Sequence, residues 1–186
     1  MSREPLLQQT PTGDSVLYTS RLCLEPLKAE HADILVESLQ HPDIYRFIPT
    51  SPLAIEALRR RYTYLEGRQS PDGKERWLNW VLFRKTGEGP VGTFESTVRE
   101  NGEADIAYVI FPSYWKQGFA REAGAAVIEH LRLQYGVPCV GADIDTRNAS
   151  SIALVESLGF QRVKLTPNAD FFRGESSDEF RYELRG

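Results

Sequence analysis

The chain has 186 residues, 41% of them hydrophobic and 26% charged, with a formal net charge of −4 from 22 Lys and Arg against 26 Asp and Glu. A length of that order suits one domain with a sizeable core, and ordinary apolar and charged fractions exclude a disordered or fibrous class. The acidic balance is broken by no basic run, which excludes a dedicated nucleic-acid binder, and no apolar run approaches the roughly 20 residues that cross a bilayer.

The opening MSREPLLQQTPTGDS has no hydrophobic signal core. It reads as a partly ordered lead-in, residues 1–16 of a single 1–186 domain, with the cytoplasm as default location. RLCLEPL alternates as a strand, with Leu22 and Leu24 on one face. AEHADILVESLQ (29–40) places Ile34, Leu35 and Leu39 at helical spacing, HPDIYRFIP gives a short helical turn between prolines, and Pro52 starts a helix that runs to about Glu66. SPDGK is turn chemistry.

From Trp77 the period changes. WLNWVLFRK, VGTFESTV and DIAYVIF are strands joined by the short turns TGEG and ENGEA, an antiparallel meander. A helix follows Gly118, with Phe119, Ala123, Val127 and Leu131 on one face, and GVP ends it. CVGADID is apolar on both faces, as in a central strand. NASSIALVESLG is a short helix closed at Gly159, and FQRVKL and DEFRYELR are two last strands around a polar loop. Only the strand–helix–strand crossing over 105–145 calls for parallel pairing. The class is mixed α/β (α+β): a mostly antiparallel sheet of six to seven strands flanked by helices.

Cys23 and Cys139 both lie in apolar, strand-like segments and read as small buried hydrophobes rather than a disulfide. His31, His41 and His130 have no metal-ligand spacing. The stretch YWKQGFAR, residues 114–121, is an odd start for a long helix: it lacks a Ser, Thr, Asp or Asn cap and instead presents Gly118 between Lys116 and Arg121. Bare N–H groups at a helix N-terminus, flanked by bases, suit an anion; a helix that merely begins with glycine and solvated bases is the alternative. Neither GxxxxGK[ST] nor GxGxxG is present, so triphosphate and dinucleotide loops are unsupported. Asn148 is a natural N-cap for the later helix, with Ser151 in its first turn.

Taken together, IAYVIFPSYWKQGFAREA and, about thirty residues on, DTRNASSIALVESLGF resemble the GNAT acyltransferase superfamily, on the side of its RimJ/RimL-like protein N-acetyltransferases. WKQGFA, Trp115 to Ala120, is similar to the superfamily's R/Q-x-x-G-x-G/A pyrophosphate motif, departing at its first position, where Trp115 follows an aromatic neighbour as in that branch. The resemblance covers roughly residues 19–185. It implies a sheet splayed at the cofactor site and acetyl-CoA as co-substrate. The pantetheine arm would lie along Val109, Ile110 and Phe111 and against Asn148. The pyrophosphate would be held by the loop Lys116, Gln117, Gly118, Phe119, Ala120 and Arg121.

By the same resemblance, Ser151 would protonate the leaving thiolate. An alkyl amine with a pKa near about 10 must lose a proton before it attacks a thioester, so a base is needed. Glu95 is the first candidate, with Asp105 and Glu103 as further carboxylates, and N–H groups over Tyr108–Ile110 would face the developing oxyanion. Strand alternation sets Thr93, Glu95 and Thr97 on one face, toward either a cleft or water. Tyr108, Tyr114 and Trp115 are expected to pack around the cofactor channel. The acceptor would be a primary amine, on a small molecule or a protein N-terminus, contacted from residues 29–67 and 166–178, by a monomer or homodimer without a metal. The other reading is a CoA-binding sensor or interaction module with little or no catalysis.

Overall fold

The structure, a computed structural model, describes residues 15–87 and 89–186; residues 1–14 of the expected lead-in lie outside them. Its centre is an eight-stranded sheet in the order β1-β2-β3-β4-β5-β6-β8-β7. The strands are β1 (Leu17–Tyr18), β2 (Leu22–Pro26), β3 (Glu75–Arg84), β4 (Pro90–Arg99), β5 (Ala104–Ile110), β6 (Cys139–Asp145), β7 (Gln161–Phe172) and β8 (Glu175–Arg185). The count exceeds the expected six to seven because Leu17–Tyr18 folds back on Leu24–Cys23 as an added edge. The helices are α1 (His31–Leu35), α2 (Ile55–Glu66), α3 (Phe119–Tyr135) and α4 (Ala149–Ser157). No described helix is long and apolar enough to cross a membrane.

Alternation along β3, β4 and β5 sends side chains to two different cores. On one face, Leu78, Trp80, Phe94 and Ile106 pack under α3 and α4 through Phe119, Ala123, Val127, Leu131 and Val155. On the other, Val81 and Phe111 meet Leu35, Leu39, Ile44, Leu58 and Tyr62 of the α1–α2 region. Burial of the α3 stripe bears out its spacing. Gly124 lets the two later helices close, since a Cβ there would sit 2.9 Å from Leu158 Cδ1.

Three segments differ from the sequence reading. The helix expected over 29–40 stops at Leu35 and continues as a tighter 3-10 turn over Ser38–Gln40, so Leu35 and Leu39 reach the core while Ile34 stays 49% exposed. Pro42 forces the turn to end, because the residue before a proline avoids the helical region and His41 is extended. The second helix begins at Ile55, three residues after Pro52. The polar loop expected between the last strands is itself strand: β7 runs to Phe172 and β8 starts at Glu175. The turn residues Arg173 (φ 55) and Gly174 (φ 79) are both left-handed, which is what a two-residue hairpin needs. Polar residues extend the ladder there because it is an edge, with register shifts at Arg162/Lys164 and Thr166/Asp170.

One topological fact positions the site. β5 pairs with β4 along its whole length, but its parallel pairing with β6 covers only Ala104↔Val140 and Asp105↔Gly141. Beyond those residues the two strands part, and the sheet opens between the ends of β5 and β6.

Candidate active site

The opening exposes backbone. Phe111 donates its N–H to Val91 O (2.9 Å), and backbone groups of an antiparallel strand alternate sides. Val109 and Ala107 therefore turn theirs toward β4, while those of Tyr108 and Ile110 face the gap. Trp115 Nε1 takes the Ile110 carbonyl at 2.5 Å, leaving the Ile110 N–H and both Tyr108 groups on the open edge. Among Val109, Ile110 and Phe111, then, Ile110 carries the free edge N–H, and the Phe111 side chain is buried in the α1–α2 core. β4 approaches β5 closely here: a Cβ on Gly92 would lie 2.1 Å from Val109 O.

At the far side of the turn after β5, Lys116 (φ 58) and Gly118 (φ 81) are left-handed, and Gly118 caps α3 without any side-chain hydrogen bond. No side chain caps the start of α3, and the first α3 donor engaged is Glu122 N, to Gly118 O at 3.1 Å. Successive N–H groups around such a turn form a concavity for an anion, and the 17-residue helix behind adds its positive end. Lys116, Gln117 and Arg121 are exposed, whereas Phe119 is buried and anchors the loop. Gln117 Nε2 ties back to Ser113 O at 3.0 Å.

The β6 side of the gap carries α4. Asp145 at the end of β6 is buried and accepts from Arg147 N (2.8 Å), Nε (3.0 Å) and Nη2 (2.7 Å) and from Ser177 Oγ (2.6 Å). Burial alone would raise its carboxyl, but these donors outweigh it and hold it at about 2. That latch, which motif reading missed because Asp145 and Ser177 are 32 residues apart, sets the turn from which α4 departs. Asn148 caps α4, its Oδ1 accepting from Ser151 N at 3.1 Å, so its carbonyl oxygen serves the helix and its amide NH2 is what remains for a ligand.

Ser151 Oγ lies 2.5 Å from the Tyr108 hydroxyl, across the gap. Tyr108 stacks on Phe94 at 5.6 Å, and burial pushes its phenol up to about 12 against the opposing hydrogen bond to Ser151. Tyr108 is therefore more than the packing group expected of it: it joins β5 to α4 through the predicted catalytic serine.

Glu95 is on the opposite face. It is the register partner of Asn79 and Ala107, and Arg61 of α2 stands 3.8 Å from its carboxylate. Its side chain remains 41% exposed through one open end, and Ala107 is exposed beside it in the middle of the sheet. Crowding by protein on the remaining sides raises its carboxyl, and Arg61 opposes the rise. Glu95 thus lies on the α2 face of the sheet, partly open to solvent and beside Arg61. Tyr62, beside it on α2, is pushed up by burial and by the Glu95 charge.

The other two carboxylates sit at the closed end of β5. Asp105 is bonded to Arg99 and, at 2.6 Å, to Arg181; burial opposes but does not outweigh these partners, and its carboxyl is lowered. Glu103 accepts from Asn101 Nδ2 in the β4–β5 turn at 3.0 Å. Neither reaches the gap. His31 is buried with Nδ1 accepting from Lys28 N at 3.1 Å, and both cysteines are free thiols. Among the described residues no group of three or more His, Cys, Asp or Glu side chains could hold a metal ion.

The family described as "Acetyltransferase (GNAT) domain" matches residues 21–161. The Uncharacterized N-acetyltransferase p20 of Bacillus licheniformis is 27% identical over 170 residues, 90% of this chain and 94% of that protein. Among solved structures, RimL, a ribosomal L7/L12 alpha-N-protein acetyltransferase in complex with coenzyme A, superposes with a TM-score of 0.79 at 16% identity, covering 92% of this chain and 98% of that one. The spermidine N-acetyltransferase of Vibrio cholerae, in complex with CoA and spermine, gives 0.77 at 18%, covering 89% and 96%. At such identities these structures share the fold.

Proposed function

The chain belongs to the GNAT acetyltransferase family, and from that membership and the chemistry of the gap we infer that it transfers the acetyl group of acetyl-CoA directly to a primary amine. The observation that carries this reading is the hydroxyl pair Tyr108–Ser151 on one face of the gap with the raised carboxyl of Glu95 on the other. The two ends of an acyl transfer need opposite proton traffic, and the parted strands give both faces access to one bond.

Acetyl-CoA supplies an activated thioester. The N–H groups of the Lys116–Arg121 turn and helix start would take its pyrophosphate, the Ile110 N–H and Tyr108 carbonyl on the open edge its pantetheine amides, and the Asn148 NH2 a carbonyl of the same arm. Glu95, directly or through a water, takes the proton that the amine nitrogen sheds as the N–C bond forms. The Tyr108 N–H, level with Ser151 and Glu95, faces the carbonyl oxygen on which charge grows. Ser151 gives its proton to the departing sulfur as the C–S bond breaks. Tyr108, protonated across the working pH range, donates to Ser151 Oγ and so turns the serine proton toward the gap. Solvent then returns a proton to Ser151 and removes one from Glu95. The acceptor enters from the α1–α2 face, where Glu95 and Ala107 are open; relatives of the fold act on a ribosomal protein N-terminus and on spermidine, so both kinds of amine belong in the screen.

The test is CoA release from acetyl-CoA with peptide N-termini, amino acids and polyamines, for wild type, Ser151→Ala, Tyr108→Phe and the double variant. Ser151→Ala should lose about 100-fold or more in kcat, and Tyr108→Phe should cost much less once the serine is gone, because the two act as one unit. Additive losses would refute the pairing. Tight CoA binding without turnover on any amine would favour a CoA-binding sensor.

A further inference from the structure

Arg21, in the turn between β1 and β2, makes a sequence of contacts along the cradle loop that the motif around Gly118 gives no hint of. Its Nη1 donates to Gln117 O at 2.9 Å. Its Nη2 lies where a Cβ on Gly118 would meet it at 3.4 Å. Its guanidinium stands 4.4 Å over the Phe119 ring. Its Nε and backbone N–H each donate to the Glu122 carboxylate at 2.7 Å, with Thr19 Oγ1 completing that carboxylate at 2.5 Å. One side chain thus spans residues 117–122 from a segment about a hundred residues away in sequence.

Two physical consequences follow. A trans peptide is planar with its C=O and N–H pointing in opposite directions. By holding the Gln117 carbonyl, Arg21 therefore aims the Gly118 N–H away from itself. The loop needs such a constraint, because Lys116 at φ 58 occupies the left-handed region that a non-glycine residue adopts only at a cost. Second, Glu122 is an acidic group in the first turn of α3, and burial fails to raise it because Thr19 and Arg21 keep it ionised. Without a compensating cation it would repel a bound phosphate. Arg21 supplies that cation in a fork that a lysine cannot reproduce.

We propose that Arg21 is the positioning residue of the pyrophosphate cradle: it sets the Gln117–Gly118 peptide and neutralises Glu122, so that the N–H groups of the α3 start converge on an anion. This rests on the acetyl-CoA reading above.

The test uses the full chain and two acetyl donors, acetyl-CoA and S-acetylpantetheine, the second of which lacks the pyrophosphate. In Arg21→Met and Arg21→Lys alike, KM for acetyl-CoA should rise about ten-fold or more, the loss of one charge-assisted hydrogen bond, with kcat at saturation unchanged. Kinetics with S-acetylpantetheine should stay at wild-type values. An equal loss with both donors would mean general damage to the fold and would overturn the proposal, as would a Lys variant indistinguishable from wild type. Wild-type protein with no affinity for CoA in calorimetry would instead overturn the acyl-CoA reading, and this inference with it.

Discussion

Asp145→Asn probes whether the latch at the end of β6 stabilises the turn that carries α4. The carboxyl is 3% exposed and is held near 2 instead of its ordinary 3.8. A displacement of nearly two pH units, at 1.36 kcal/mol each, corresponds to about 2 kcal/mol of folding stability. The sign is fixed by linkage: a carboxyl depressed in the folded state contributes fully above its unfolded value and loses that contribution as pH falls through the folded one. Asparagine keeps the shape but presents NH2 hydrogens to Arg147, so the variant should be about 2 kcal/mol less stable at pH 7. The gap should shrink below pH 4, to about half near pH 3, since protonated wild type then resembles the variant. Urea midpoints with a common m-value across pH 3–7 measure it. A difference that is constant with pH, or absent at pH 7, would refute the account of Asp145 as an ionised, fully donated-to carboxylate.

Two further outcomes test the acceptor side and the parting of the strands. Glu95 must be ionised to act as a base, and Arg61 is the cation holding its raised carboxyl down; Arg61→Gln should move the acid limb of the kcat/KM profile to higher pH and leave the alkaline plateau in place, while Glu95→Gln should abolish that limb and lose about 100-fold or more. Unchanged profiles in both would remove Glu95 from the mechanism. Gly92→Ala sets a Cβ 2.1 Å from a backbone oxygen that cannot swing aside, so chemical denaturation should show a loss of about 3 kcal/mol or more, or no folded protein; a loss under about 1 kcal/mol would mean that β4 and β5 can separate freely there.

Much of the candidate site's local structure was legible because it is local. Gly118 and its neighbours, the Asn148 cap and the α3 stripe each lie within one element, and a helix period or a cap residue is visible in a few consecutive letters. The strands of the meander were legible for the same reason. The 29–40 helix misled because Ile34, Leu35 and Leu39 satisfy a helical period that the chain breaks in order to bend around the sheet before Pro42. The long β7–β8 hairpin was hidden by its polarity: an edge strand needs no apolar alternation, and Arg173–Gly174 is not the Asn-Gly pair that usually marks such a turn.

The sequence by itself determined the family, the order of the main strands and helices and the uncapped glycine start of α3, since these depend on residue type and short-range spacing. The tertiary structure decided which groups meet. Tyr108 finds Ser151 because β5 and β6 pair at only two residues and then part. Glu95 faces α2 because of strand parity, on the other side of the same opening. Arg21 and Asp145 acquire their partners from segments far away along the chain. Their bonds depend on sheet order and crossing, and no local pattern encodes those.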